Sequence, residues 1–298
     1  MFLRSKGPKN IWILLFALGL SACASFSPPT PVPTSTVTLT PEPPTATPEP
    51  MALMVNGEGV PLVEFNAEVT RYTSAQMALG RTVDSAAATS AVIEDLVAQL
   101  LLAQAARTNG FMLDEAALQA RIDSLAAQIG GAEALTGWES AQGYSDQAFR
   151  SALRRAAESA WMRDKIISTV PSTAEQVHVQ QILLYNQDTA VSFLNQLNGG
   201  ADFHELAFEA DPFTRGDLGW VPRGYLLNAQ IEEAAFNLTV GEYSDVITTD
   251  VGFHIVRILE HDSNRPLSPD ALLSLQELAL RKWIEEQRAR ANVVLAPQ

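Results

Sequence analysis

Two hydrophobic periods alternate along this chain, and that limits the folds open to it. Before residue 170 the apolar side chains recur at helical spacing. Val92, Leu96, Leu100 and Ala103 form one stripe, and Leu118, Ile122, Leu125 and Ile129 a second. Phe149, Leu153, Ala156, Ala160 and Trp161 form a third. Across 177–185 the period falls to two, placing Val177, Val179, Gln181 and Leu183 on one face of a strand. Helical spacing returns after Ser268-Pro269, an N-cap followed by a first-turn proline, in Leu272, Leu275, Ala279 and Trp283. The fold class is α+β, with a sheet-forming unit set between helical segments.

Punctuation marks the element ends. Met54 to Glu58 reads as a short strand entering a turn, with a helix from about Leu62. Gly110, Gly130-Gly131 and Pro171 each stop a helix, and Arg265-Pro266 breaks the chain after the central unit. Within that unit the pattern predicts a strand at 177–185, helices at 190–197 and 203–208, and a short strand at 218–220. A helix at 231–236 and strands at 246–249 and 253–259 around Asp250-Val251-Gly252 complete it.

The first 22 residues have the form of an export signal. Arg4, Lys6 and Lys9 precede an apolar run from Ile11 to Leu20, too short to span a bilayer as a mature helix. Leu20-Ser21-Ala22-Cys23 resembles the bacterial lipobox, which implies lipidation at Cys23, although an ordinary secretory signal with a chance cysteine reads similarly. Residues 24–50 hold nine prolines and seven threonines. They lack the apolar side chains for a core and are expected to form an extended tether reaching about 80 Å. Localisation is therefore expected outside the cytoplasm, as a membrane-anchored bacterial lipoprotein.

Charge and residue inventory exclude several chemistries. Acidic residues outnumber basic ones by 34 to 20, against the pattern of a nucleic-acid binder, which needs Lys and Arg to neutralise phosphate. A single cysteine permits no internal disulfide or thiolate metal cluster. Four scattered histidines do not form a metal motif: His204-Glu205 opens like a zinc-protease helix, but Phe208 stands where the second histidine belongs. Neither a G-x-S-x-G elbow nor a phosphate-binding glycine loop is present. No metal is expected.

Five phrases in order make the central unit specific. They are V-H-V-Q-Q-I-L-L, G-A-D-F-H-E-L-A, R-G-D-L-G-W, I-E-E-A-A-F-N-L-T-V-G-E-Y-S and V-G-F-H-I-V-R-I. Across residues 177–260 they resemble the parvulin (PpiC or rotamase type) family of peptidyl-prolyl cis-trans isomerases. The resemblance implies a four-stranded antiparallel sheet wrapped by helices, and a reaction that needs no cofactor. The opening at 54–62 resembles the start of SurA-type chaperones and PrsA-type foldase lipoproteins. That likeness implies a helical chaperone domain built from residues 51–170 and the C-terminal helix of 265–298, with the parvulin domain (171–264) inserted. The partners implied are unfolded or newly exported polypeptides bearing X-Pro bonds, with the membrane held through lipidated Cys23.

Carried over residue by residue, the resemblance assigns Leu218, Leu226 and Ile231 to an apolar proline pocket and His254 to a central histidine. All three apolar residues read equally well as plain core, and His254 as a structural histidine. Gln181 stands where the family usually has histidine. It either preserves a hydrogen-bond network or marks a weakened enzyme, since its amide does not titrate. The loop between Ala207 and Gly216 is shorter than the family's, leaving Asp211 as the candidate facing the substrate amide, with turn formation at Asp211-Pro212 as the other reading. The segment Tyr185-Asn186-Gln187-Asp188 lacks the basic cluster of phosphate-specific members. The function expected is X-Pro isomerisation in exported proteins; the alternatives are a non-catalytic holdase with a degenerate parvulin domain and a scaffold lipoprotein.

Overall fold

A computed structural model describes residues 49–226 and 228–296. The signal segment, Cys23 and the tether up to residue 48 lie outside the described residues.

Strands β1 (Met51–Val55) and β2 (Glu58–Pro61) form a hairpin. Its turn is Asn56-Gly57, both at positive φ (52° and 86°), the geometry a two-residue hairpin requires. Four helices follow: α1 (Leu62–Ala78), α2 (Ser85–Thr108), α3 (Glu115–Ile129) and α4 (Ala132–Ala141). A fifth, α5 (Asp146–Ile167), completes the set. Asp84, Asp114 and Ser145 cap α2, α3 and α5, each accepting from the backbone N–H three residues on. The sequence pattern offers no α4, because Gly130-Gly131 reads only as a stop. In the structure Gly130 ends α3 in the left-handed region and Gly131 starts α4.

The apolar stripes pack as their spacing requires. Leu53, Val55 and Val60 bury against Phe65, Val92, Leu96 and Leu100. Charge is buried here too. Arg155 on α5 donates to Glu64 on α1 at 2.6 Å, with both side chains under a tenth exposed, and Arg107 bridges Glu58 and Glu158.

The second sheet begins with β3 (Thr173–Leu184), followed by α6 (Gln187–Asn198), α7 (Phe203–Ala210) and β4 (Asp217–Pro222). Helix α8 (Ala229–Asn237) and strands β5 (Ile247–Thr248) and β6 (Phe253–Pro266) complete it. The strands are antiparallel in the order β4-β3-β6-β5. One face carries Ile182 and Ile255 against Phe193, Leu197, Phe203 and Leu206 of α6 and α7. The opposite face carries Val177, Val179, Val256 and Ile258 against Ile231 and Ala235 of α8. Arg265-Pro266, expected as a break, instead finishes β6, where Pro266 pairs with Thr173. Proline is tolerated at a strand end, and the buried Gln176 amide donates to the carbonyls of both Arg265 and Pro266.

Helix α9 (Pro269–Arg290), capped by Ser268, lays Ala279, Leu280, Trp283 and Ile284 against Leu102, Ala106, Met162 and Ile166 of α2 and α5. Strand β7 (Val293–Leu295), which the sequence reading does not foresee, then pairs with β1, closing a three-stranded sheet β2-β1-β7.

Candidate active site

The α8 face of the second sheet gathers the polar residues that the sequence singles out. Gln181 on β3 pairs with Val256 on β6, and Leu183 pairs with His254. The strand period puts Gln181 and His254 on the same face, and the Gln181 amide oxygen lies 3.0 Å from His254 Nδ1. The other ring nitrogen, Nε2, lies 3.0 Å from the Thr249 hydroxyl. An amide oxygen only accepts, so Nδ1, facing it, carries a proton, while the Thr249 hydroxyl that faces Nε2 also lies 3.2 Å from the Gly252 carbonyl, a second acceptor for its one proton. His254 is 3% exposed, and burial pushes its imidazole below its ordinary value of 6.5. Burial thus favours the neutral form of a ring whose two nitrogens both face uncharged side chains, Gln181 and Thr249.

Two of the three apolar candidates share a cluster. Ile231 belongs to the core on this face, and Leu226 packs against the same side chains, partly buried. Both are positioned by local capping. Asn228 accepts from the N–H groups of Gln230 and Ile231, starting α8. The Glu232 carboxylate reaches back to accept from the N–H groups of Gly224 and Leu226, tying the preceding loop to the first helical turn. Leu218 is different. Val179 pairs with Gly219 and Gln180 with Asp217, so Leu218 is the extra residue of a β-bulge, 37% exposed.

Asp211 ends α7, and its carboxylate accepts from the Thr214 hydroxyl and from the N–H groups of Phe213 and Thr214. The Thr214 hydroxyl, then the two amides, hold it below the usual carboxylate range. Three of its roughly four acceptor sites are taken by its own turn. His178 belongs to a separate group: it bonds Asp217 at 2.8 Å and stacks on Trp220. Among the described residues no three His, Cys, Asp or Glu side chains converge as a metal site.

Three polar residues here are not marked by the sequence pattern. Thr249 lies across a hairpin from His254, five residues away, and only the turn brings the two together. Glu232 reads as one of many helix-surface acids. Gln180 is 3% exposed, and its amide donates to the Arg215 carbonyl at 2.8 Å. A glutamine on the face opposite Gln181 carries no advance sign that it will be buried.

The antiparallel sheet with helices on both faces and a buried, hydrogen-bonded histidine on β6 is the arrangement that the parvulin resemblance implies. Residues 164–262 match the family described as PPIC-type PPIASE domain, so the chain carries a parvulin-type peptidyl-prolyl isomerase domain. Its relatives narrow the kind of protein it resembles. It is 33% identical over 98 residues to the foldase protein PrsA of Geobacillus sp. (strain WCH70), covering 31% of this chain and 35% of that one. It is 32% identical over 144 residues to the chaperone SurA of Methylobacillus flagellatus, covering 41% and 33%. The chain thus spans about a third of the length of these curated relatives. Among solved structures, the peptidylprolyl isomerase PrsA from Bacillus cereus is similar at 17% identity and a TM-score of 0.44, covering 78% of this chain and 84% of that one.

One outcome at this site is set by the sign of the His254 shift. Above about pH 6.5 the ring is neutral in both the folded and unfolded chain, and its contribution is constant. As pH falls through that value the unfolded chain takes up a proton that the folded one refuses. Stability should then fall until the lower folded value is reached. Unfolding free energies of wild type and His254→Gln, measured from about pH 7.5 to 5, should diverge in slope below pH 6.5. Parallel curves would show that the ring does not titrate differently on folding.

Proposed function

We propose that the chain is an extracytoplasmic, lipid-anchored foldase that isomerises X-Pro peptide bonds in exported polypeptides. The observation that carries this reading is the buried His254 held between Gln181 and Thr249 on the α8 face, beside Ile231 and Leu226. Rotation about a peptide bond faces a barrier of roughly 18–20 kcal/mol, set by amide resonance. No bond needs to be made or broken to lower it. Apolar side chains such as Leu226 and Ile231, with Leu218 at the bulge, would receive the proline ring and exclude water. The Gln181–His254–Thr249 chain would supply fixed dipoles that favour the twisted amide over the planar one. Asp211 acts on this reading through its turn rather than as a group facing the amide.

The division of labour follows the packing. Helices α1–α5 with α9 and the small sheet would form the chaperone body, and residues 173–266 the isomerase. Anchoring rests on the lipobox at Cys23, so Cys23→Ala should move the protein from the membrane fraction to the soluble one. An unchanged distribution would remove the lipid anchor from the account.

The second reading, a holdase without catalysis, is favoured by Gln181 standing in place of the family's histidine. Refolding of a protein limited by proline isomerisation separates the two. A foldase raises the rate of the slow phase, which takes tens of seconds unaided. A holdase lowers aggregation and leaves that phase at its rate in buffer.

A further inference from the structure

Helix α9 has apolar residues on two sides, and only one side lies on the helical body. Ala279, Leu280, Trp283 and Ile284 pack against α2 and α5. Leu275 and Leu278, three residues apart and so neighbours on the helix surface, meet a different partner. That partner is Gly224, in the loop between β4 and α8. A Cβ at Gly224 would stand 2.8 Å from Leu278 Cδ2 and 3.4 Å from Leu275 Cδ2. The two leucines therefore bear directly on the glycine backbone, at a distance that a side chain there would deny them.

Topology brings them together. Strands β4 and β6 finish at the same end of the sheet, with Pro222 opposite Gln176 and Pro266 opposite Thr173. Helix α9 begins three residues after β6 ends, beside the loop that leaves β4. This loop also carries Leu226. One oxygen of the Glu232 carboxylate accepts from the N–H groups of both Gly224 and Leu226. The glycine under α9 and the leucine beside Ile231 are thus tied to a single atom. At the start of the loop, Arg223 donates to Glu175 and lies 4.0 Å over the Phe236 ring of α8.

We propose that Leu275 and Leu278 are positioning residues of the isomerase site, which fix the loop presenting Leu226 by bearing on Gly224. The helical body then contributes to proline binding through α9 without touching the substrate. The inference rests on the proposed function, in which Leu226 receives the proline ring. Its effect falls on binding, because Gln181, His254 and Thr249 are bonded to one another and not to this loop.

The test uses the full chain with Leu275→Ala and Leu278→Ala combined, and Ile284→Ala as the control on the side of α9 that meets α2 and α5. Re-ordering one freed loop residue on binding corresponds to about a tenfold change in affinity. A short proline peptide should therefore bind about tenfold more weakly to the double variant, read from protein amide shifts. Its cis-trans exchange rate at saturation should stay at the wild-type value. Hydrogen exchange at the Gly224 and Leu226 amides reads the loop with no peptide present, and should quicken in the double variant. Leu278→Ala alone should show both changes in smaller measure, and Leu278→Met, which keeps the volume, should show neither. Unchanged amide protection or unchanged affinity in the double variant overturns the proposal. So does an equal loss of affinity in Ile284→Ala, which would trace the effect to a loosened helical body. The expected losses in a chain that binds the peptide without speeding its exchange support the positioning role and remove the isomerase reading alone.

Discussion

Arg155→Ala should lower the unfolding free energy by about 3–5 kcal/mol. The reason is what it leaves behind rather than what it removes. Glu64, 6% exposed, loses the guanidinium 2.6 Å away and is left buried without its partner. Arg155 also donates to Gln99, so the deletion loosens α2 as well as α1. Replacing both partners is a different experiment. In Glu64→Met with Arg155→Met no charge is buried, and such replacements are often neutral or stabilising. Urea unfolding of the two single variants and the double should therefore show the double as more stable than Arg155→Ala. A single variant that unfolds like wild type would mean water or another cation reaches Glu64, and that α1 is held by apolar contact alone.

Gly216→Ala should be the most damaging single substitution in the parvulin unit, costing about 3 kcal/mol or more. Two effects add. Gly216 has a φ of 67°, where a Cβ is strained in any surroundings. That Cβ would also collide with the Gln181 carbonyl, which is strand backbone and has no rotamer to change. Relief requires the turn to separate from β3, breaking the bond from Gln181 N–H to the Gly216 carbonyl. Strain and site disorder therefore arrive together, and melting temperature should fall along with proline-isomerase rate. Gly200, also at positive φ but facing open space, is the control: alanine there should cost only the backbone term, roughly 1 kcal/mol. Equal effects at the two positions would mean that the contact with Gln181 is not made.

How much of this was legible beforehand divides along the range of the interactions. Helical stripes are local, so α2, α3, α5 and α9 follow from apolar spacing, and the start of α9 also from Ser268. The alternation at 177–185 puts Gln181 on the same face as Val177 and Val179, and the structure has His254 bonded there. What escapes is non-local or depends on one extra residue. Strand β7 exists only because β1 is there to pair with it, across more than 230 residues. Leu218 lies at a bulge whose position depends on the register of both β3 and β4. Asp211 is open to two readings in the sequence, a group facing the substrate amide and a turn former. A carboxylate in a loop beside a site reads as a candidate, while the hydrogen bonds of its own turn decide where its oxygens point.

The account depends on His254 acting in a bond rotation, and the most direct measurement is magnetisation exchange between the cis and trans signals of a proline peptide. With catalytic amounts of wild type, exchange should rise well above the uncatalysed rate, and His254→Ala should return most of that gain while leaving the fold intact by circular dichroism. A wild-type chain that binds the peptide yet leaves its exchange at the rate in buffer would contradict the central claim.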